Sequence, residues 1–287
     1  MAITAAMVKE LRERTGVGMM DCKKALSETG GDMEAAIDKL RKESGLKAAK
    51  KAGRTAAEGL LGLKVADDNG SAVLAEVNSE TDFAARNDKF IAFVQQVADT
   101  AFEQQTDDLK VLLDGGLEAA REAIIQGIGE NMTVRRVARV EGPVVGAYLH
   151  ADSKKGAVVT LEGGSPELAR DLAMHVVAIA PQVVSPEDLD PEVLAREQSI
   201  FEAQAAESGK PPEIVTKMVE GRLTKFKAEV SLIEQPFVKD GEKRVKQLLS
   251  ESGAKCLGFV RFEVGEGIER ETTDFAAEVA AQARGQG

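Results

Sequence analysis

An approximate internal repeat is the feature of this chain that most constrains its fold. A strand-like run, a polar turn, a second strand-like run and a helix follow one another twice, and such repetition bears on the whole architecture. In the first copy, apolar runs at 60–65 and 72–77 flank Asp67-Asp68-Asn69-Gly70, and Asn-Gly is a strong signal for a hairpin turn. A helix is expected after Thr81, because apolar residues recur at helical spacing over 90–101.

The second copy has the same order. Its runs at 144–150 and 157–161 flank the polar segment 152–156, and a helix opens at Ser165-Pro166, a favourable N-cap and first-turn pair. Two hairpins, each backed by a helix, predict an α+β fold with antiparallel sheets and not a parallel nucleotide-binding sheet. A further strand at 256–264 is expected to return to the second sheet.

The other segments are expected to be helical. The N-terminal part should form three short helices, with Asp32 capping the third and 47–57 serving as a tether. The segment 186–230 is broken by Ser208-Gly209-Lys210-Pro211-Pro212, so its two helices should fold back on one another as an antiparallel hairpin. A last helix is expected to open at Thr273. The predicted domains are 1–54 (three-helix module and tether), 55–140 (first core subdomain), 141–185 with 231–264 (second core subdomain), 186–230 (inserted helical hairpin) and 265–287 (C-terminal module).

Composition argues against several classes of protein. The 287 residues carry a net charge of -11, which argues against a nucleic-acid ligand, although residues 1–54 hold twelve Lys and Arg against eight Asp and Glu. No apolar run approaches the roughly 20 residues of a membrane span and no secretory signal is evident, so a cytoplasmic location is expected. Cys22 and Cys256 lack a Cys-x-x-Cys spacing, and neither a disulfide nor a zinc site is expected.

Residue patterns for catalysis are scarce. His150 and His175 are the two histidines, and no Ser-His-Asp order, glycine-rich phosphate loop or His-x-x-x-His pair accompanies them. Each histidine is therefore expected to be structural. The sequence favours a binding protein without catalytic residues, metal or cofactor.

The segment Thr81-Asp82-Phe83-Ala84-Ala85-Arg86 is the main binding candidate, because it places an aromatic beside an acid where a strand meets a helix. Thr81 or Asp82 can cap that helix. Two interpretations of Phe83 remain open. It lies seven residues before Phe90 and can staple the helix to the core, or it can be displayed to a partner. Pattern alone favours the staple.

Adjacent Met19 and Met20 present a similar choice. Neighbouring residues on a helix cannot both face one thin core, so at least one should remain at the surface, where methionine suits a protein contact. The alternative is that both turn inward because the N-terminal module is short of apolar residues.

Five segments of the chain are together similar to motifs of the elongation factor Ts family, and they extend over essentially its whole length. The family's central motif usually has valine where this chain has Ala84, which weakens the packing beside Phe83 but keeps the acid and the aromatic. The five segments are 15–26, 78–87, 128–131, 217–222 and 258–269.

The resemblance implies a guanine-nucleotide exchange factor for the GTPase elongation factor Tu, with an N-terminal module like a ubiquitin-associated domain. It implies that Thr81 to Arg86 form a wedge beside the magnesium site of the GTPase, where Phe83 enters between helices and Asp82 disturbs the metal. The implied assembly is a heterodimer or higher complex without direct contact to nucleic acid or membrane. The other GTPase-binding residues that it implies are Arg12, Met19, Met20 and His150.

Two other classes of function stay open at this point. Three-helix units of this size also occur in passive scaffold proteins, which bind a partner without changing its nucleotide release. An acid/base enzyme that uses His150 would require a substrate site, and no feature of the sequence recommends one.

Overall fold

The computed structural model describes residues 3–15, 17–207 and 210–269. Within these ranges the chain combines helices with antiparallel sheets, so the predicted α+β class is confirmed. None of the helices in this part of the chain is both long and apolar enough to cross a membrane. The helix expected from Thr273 lies outside the described residues.

Three helices form the N-terminal module: α1 Ala5–Thr15, α2 Met19–Glu28 and α3 Met33–Lys51. Asp32 caps α3 as predicted, and its side chain accepts a hydrogen bond from the Ala35 amide at 3.0 Å. The tether prediction is wrong at its start, because 47–51 is still helix. Ala48 at this end of α3 is buried in the core of the first sheet. The module's own core consists of Val8, Leu11, Val17, Cys22, Ala25, Leu26, Ala36, Ile37 and Leu40.

The first sheet has the strand order β1 Glu58–Val65, β2 Ser71–Ser79 and β3 Met132–Glu141, all antiparallel. The predicted turn joins β1 to β2, with Asn69 in the left-handed region at φ 56°, a conformation that asparagine tolerates better than most residues. Strand β3 was not predicted from the sequence.

The connection from β2 to β3 is helical throughout most of its length. It contains the one-turn helix α4 Asp82–Ala85, then α5 Asp88–Glu103, α6 Leu109–Leu112, a π-helical turn at Leu113–Leu117, and α7 Glu118–Ile128. Thr81 was predicted to cap the helix that carries Phe90. It caps the separate one-turn helix α4 instead. The longer helix α5 has its own cap at Asn87.

The second hairpin and its helix are confirmed. Strands β4 Val144–Leu149 and β5 Lys155–Glu162 pair antiparallel, and α8 Pro166–Ile179 follows them. Ser165 caps α8 by accepting a hydrogen bond from the Leu168 amide at 3.2 Å.

The inserted helical hairpin is also confirmed, apart from residues 208 and 209, which lie outside the described residues. It follows a short 3-10 turn at Pro186–Asp188 and consists of α9 Pro191–Ala206 and α10 Pro212–Val230. The Phe201 and Phe226 rings meet edge to face with centroids 6.5 Å apart. Because Arg222 also bonds Gln204, residues further along α9 meet residues earlier in α10, as in an antiparallel pair.

After the hairpin the chain returns to the second sheet. A 3-10 turn at Leu232–Glu234, the two-stranded ribbon of β6 Pro236–Phe237 and β7 Asp240–Arg244, and α11 Val245–Glu251 were not predicted. Strand β8 Lys255–Glu263 then pairs antiparallel with β5, which confirms the expected return.

The two sheets share an apolar layer. Leu61 and Leu74 of the first sheet belong to one buried cluster with Val145, Val158 and Phe262 of the second. Each sheet is therefore covered by this layer on one face. On the other face the first sheet packs against α5 and the second against α8.

Candidate functional site

The segment between β2 and α5 displays its aromatic residue and buries its alanines. Thr81 has an extended backbone, and its Oγ1 accepts a hydrogen bond from the Ala84 amide at 3.3 Å, which closes the single turn of α4. Ala84 and Ala85 are buried at 3% and 4% exposure, whereas Phe83 is 79% exposed. The staple interpretation of Phe83 is therefore wrong, and its display to a partner stays a prediction.

The break after α4 explains this outcome. Arg86 ends the one-turn helix, and the Asn87 side chain accepts a hydrogen bond from the Lys89 amide at 3.0 Å to begin α5. Phe90 is fully buried on α5. Because Phe83 lies on a different helix, the seven-residue spacing does not put the two rings on one face.

Glu130, which is distant in sequence, contacts this turn directly. Its Oε2 accepts a hydrogen bond from the Thr81 amide at 2.9 Å, and its Oε1 accepts one from Thr81 Oγ1 at 2.7 Å. The residue lies between α7 and β3, directly after Gly129. Gly129 has φ 94° and ends α7 in the left-handed conformation, which glycine adopts without the steric cost of a Cβ.

The neighbouring residues make the reciprocal contact. Glu80 Oε1 accepts a hydrogen bond from the Asn131 amide at 2.5 Å, and Asn131 Nδ2 donates to the Arg54 carbonyl at 2.8 Å. Arg54 itself approaches Glu80 at 3.5 Å. At the end of α3, Lys51 donates to the Gly129 carbonyl. The base of the turn is thus joined to the end of the N-terminal module.

The acid beside Phe83 is also at the surface. Asp82 accepts a hydrogen bond from Arg86 across 2.8 Å, one turn further along the chain. An exposed ion pair of this kind contributes roughly 0 to 1 kcal/mol. It therefore orients the Asp82 carboxylate without preventing it from reaching a new partner.

Both methionines of the N-terminal module are at the surface. Met19 is 52% exposed and Met20 is 76% exposed at the start of α2, while Cys22 on the inner side of that helix is fully buried. The interpretation that both turn inward is wrong. Arg12 is exposed on α1. Within the described residues, no hydrogen bond or ion pair joins Arg12, Met19 or Met20 to the turn at Phe83.

The two histidines have different surroundings. His150 follows β4 at the exposed end of the second hairpin, with its Nδ1 3.2 Å from Asp152 Oδ1 and its ring edge to face with Tyr148. His175 is fully buried on α8. Its Nδ1 accepts the Val238 amide at 3.1 Å and its Nε2 lies 2.8 Å from Gln235 Oε1, so the neutral ring carries its proton on Nε2. Burial lowers the pKa of His175.

Cys22 and Cys256 are both free thiols and both buried. Burial raises the pKa of Cys256 to about 11, and burial also raises the pKa of Cys22. A thiol with a raised pKa is a poor nucleophile, because the thiolate is the reactive form. In the described part of the chain, no three His, Cys, Asp or Glu side chains are grouped as a metal site.

The residues that support the turn were not predicted from the sequence. Glu130 and Asn131 lie in one of the segments that carry the family resemblance, but no role could be given to them. Forty-nine residues separate Glu130 from Thr81, and the strand that follows Glu130 was not identified. The available signal was Ile128-Gly129-Glu130-Asn131 itself, where glycine marks a helix end and places an acid directly after it.

The chain is similar to known proteins over nearly its whole length. The family model described as Elongation factor TS matches residues 80–266, which include the turn at Phe83, its Glu130 support and the second sheet. The chain is 59% identical over 282 residues to Elongation factor Ts of Marinobacter nauticus, covering 98% of both chains. It is 56% identical over 284 residues to Elongation factor Ts of Hahella chejuensis, covering 99% of both. Because the family model matches 80–266 and these relatives match over nearly the whole of both chains, this chain belongs to the elongation factor Ts family.

Proposed function

We propose that this protein is the guanine-nucleotide exchange factor of the translational GTPase elongation factor Tu. The observation that carries the proposal is Phe83, a large aromatic side chain left 79% exposed on a turn whose alanines are buried. An apolar ring that stands on a hydrogen-bonded turn and is uncovered in the free protein is suited to insertion into another molecule. Membership of the elongation factor Ts family supports elongation factor Tu as the partner.

The proposed mechanism uses displacement and no covalent chemistry. Magnesium holds a nucleoside diphosphate through oxygen ligands in strict octahedral geometry, so a small shift of those ligands weakens binding of the nucleotide. Insertion of Phe83 into the GTPase would bury a phenyl ring, which contributes on the order of 1.5 to 3 kcal/mol. Asp82 would bring a carboxylate beside the same site, where its negative charge opposes the phosphates.

Reciprocity completes the cycle. If the factor binds the empty GTPase more tightly than the GDP-bound form, a bound nucleotide must weaken binding of the factor by the same ratio. Nucleotide then releases the factor after exchange. The factor is unchanged, and in this proposal it is not an enzyme and needs no cofactor.

Other surfaces complete the proposed interface. Exposed Met19, Met20 and Arg12 would bind the nucleotide domain of the GTPase, and the hairpin that ends at His150 would bind its distal domain. The resulting assembly is a heterodimer or a higher complex, without direct contact to nucleic acid or membrane. Because the partner acts in polypeptide elongation, we propose that the protein acts in the cytoplasm.

The first prediction tests the wedge. Phe83→Ala should leave the fold intact, since the ring has few contacts within its own chain, and should slow the stimulated release of a fluorescent GDP analogue from elongation factor Tu at least tenfold. That ratio corresponds to about 1.4 kcal/mol, less than a buried phenyl ring contributes. Stopped-flow fluorescence gives the release rate.

Val111→Ala is the matched control, because Val111 is an exposed apolar residue of the same subdomain, on α6. With this variant, elongation factor Tu should release the GDP analogue at the same rate as with wild type. If Phe83→Ala stimulates GDP release as fast as wild type, the proposed role of the wedge is contradicted. A wild-type chain that binds the GTPase without accelerating release would instead favour the scaffold function.

A further inference from the structure

We propose that Glu130 is a positioning residue for exchange, which holds the turn at Thr81 so that Phe83 is displayed in the geometry that the GTPase requires. The inference rests on the proposed exchange function. It assigns a task to a residue that would not itself touch the nucleotide site, and it identifies the corner between α7 and β3 as part of the exchange machinery.

The contact geometry supports a fixed turn. Both carboxylate oxygens of Glu130 are engaged, one with the Thr81 amide at 2.9 Å and one with Thr81 Oγ1 at 2.7 Å. The same Oγ1 accepts from the Ala84 amide at 3.3 Å. Glu130 therefore fixes the orientation of the hydroxyl that closes α4, and Phe83 lies within the closed turn.

A helical turn as short as α4 is not stable on its own. Forming the first helical turn fixes about three residues for one hydrogen bond, so an isolated turn is unfavourable. Helix α4 has four residues, and its exposed phenyl ring contributes little packing in the free protein. The turn therefore depends on contacts outside the helix: the burial of Ala84 and Ala85, the hydrogen bond from Ser79 Oγ to the Thr81 carbonyl at 3.0 Å, and the two contacts of Glu130.

Glu130 is itself held in place on both sides. Gly129 ends α7, with its amide donating to the Ile125 carbonyl at 2.8 Å. Asn131 is 3% exposed and is bonded to Glu80 and to the Arg54 carbonyl. Residues 80–81 and 130–131 thus exchange contacts: each pair contributes a glutamate that accepts a backbone amide of the other. Such reciprocal contacts fix two segments relative to each other more firmly than either contact alone.

Three substitutions at this position separate geometry from charge. Glu130→Gln removes the charge but can keep both contacts, because its amide oxygen accepts from the Thr81 amide and its NH2 group donates to Thr81 Oγ1. Glu130→Asp keeps the charge but is shorter by one methylene group, so the carboxylate no longer reaches. Glu130→Ala removes both contacts.

The expected ranking is therefore wild type close to Gln, with Asp and Ala well below. Using elongation factor Tu loaded with a fluorescent GDP analogue, we expect Glu130→Ala to lower the kcat/KM for stimulated release about tenfold, and Glu130→Gln to stay within threefold of wild type. Native-state hydrogen exchange of the free full-length protein should show faster exchange of the Ala84 amide in the Ala and Asp variants. Glu103→Ala, at the exposed far end of α5, should change neither measurement.

A double-mutant cycle distinguishes positioning from general support of the fold. In the Phe83→Ala background, Glu130→Ala should cost less than twofold, because there is no longer a ring to position. Additive losses would overturn the proposal, as would full activity of Glu130→Ala or better activity of Asp than of Gln. If wild type does not accelerate release, the proposed function fails and the positioning role fails with it. If wild type is active and Glu130→Ala equally so, only the inference fails.

Discussion

At the scale of single residues, the structure reverses the ordinary expectation for large apolar side chains. Phe83, Met19 and Met20 are all exposed, while the small residues Ala84 and Ala85 next to Phe83 are buried. The sequence shows which residues these are, but it does not show whether each side chain points toward the core or toward solvent. Direction depends on where a helix begins, and the break at Asn87 turned Phe83 away from the core that receives Phe90.

His175 gives a prediction that belongs to a single side chain. Burial lowers its pKa in the folded state, so the unfolded chain, with a pKa of about 6.5, binds the proton more readily. The stability due to the neutral ring is fully present above pH 6.5 and is lost as pH falls from there toward the lowered pKa. Urea unfolding should show this loss in wild type between about pH 6.5 and 5, a range above most carboxyl pKa values.

The check on this prediction is replacement of the buried ring itself. His175→Gln, although less stable overall, should have a flatter profile than wild type over that range. An equally steep profile in His175→Gln would assign the titration to another group.

At the scale of elements, segments with local signals were predicted and segments defined by distant partners were not. The Asn-Gly turn and the Ser165-Pro166 cap each act within a few residues, and both hairpins were found from them. Strand β3 was missed because its half-buried arginines hide its apolar alternation. Arg135 and Arg136 bind Glu76 on β2, some 60 residues earlier. The sequence of β3 alone does not indicate this partner.

In both halves of the repeat, a strand glycine lies close against the backbone of the packed helix. These two glycines are therefore expected to be sensitive to substitution by a larger residue. A Cβ added at Gly62 of β1 would lie 2.6 Å from the Val94 carbonyl oxygen of α5, and one at Gly146 of β4 would lie 2.3 Å from the Arg170 amide nitrogen of α8. Gly62→Ala and Gly146→Ala should each lower the free energy of unfolding by about 1 to 3 kcal/mol, as in other overpacked sites, measured by urea titration.

Gly258→Ala on β8 is the matched control. No atom outside its neighbours lies within 4 Å of the added Cβ, so stability should stay within about 0.5 kcal/mol of wild type, as at other surface positions. If all three alanine variants were equally stable, the helices would not be held against their strands at these glycines.

At the scale of the whole molecule, one buried carboxylate joins the two sheets. Glu76 of β2 is fully buried and accepts hydrogen bonds from Arg135 at 3.0 Å and Arg136 at 2.5 Å on β3. It also accepts the Gly265 amide at 2.9 Å, just beyond β8. The Arg136 guanidinium in turn lies 4.1 Å from the centre of the Phe262 ring on β8. The second sheet is thus attached to the first by polar contacts as well as by the apolar layer.

The last prediction follows from the charge on Glu76. Burial alone would raise its pKa, but the Gly265 amide and the guanidinium groups of Arg135 and Arg136 outweigh burial and hold the pKa below its ordinary value. The unfolded chain therefore binds this proton more readily. The stabilising contribution is fully present above about pH 4.5, the ordinary glutamate range, and is lost as pH falls through the lowered pKa.

Glu76→Gln should separate this contribution from that of the other carboxylates. Removing one partner of a buried ion pair costs roughly 3 to 5 kcal/mol, and about 2 to 4 kcal/mol is expected here because Arg135 and Arg136 remain partly exposed and can be solvated. The loss should be largest at pH 7 and should shrink as the pH falls below 4, since wild type then loses the same charge. Glu141→Gln, at the exposed end of β3, should lose far less at pH 7. A deficit in Glu76→Gln that stayed constant from pH 7 to pH 3 would show that the shape of the side chain, and not its charge, joins the sheets.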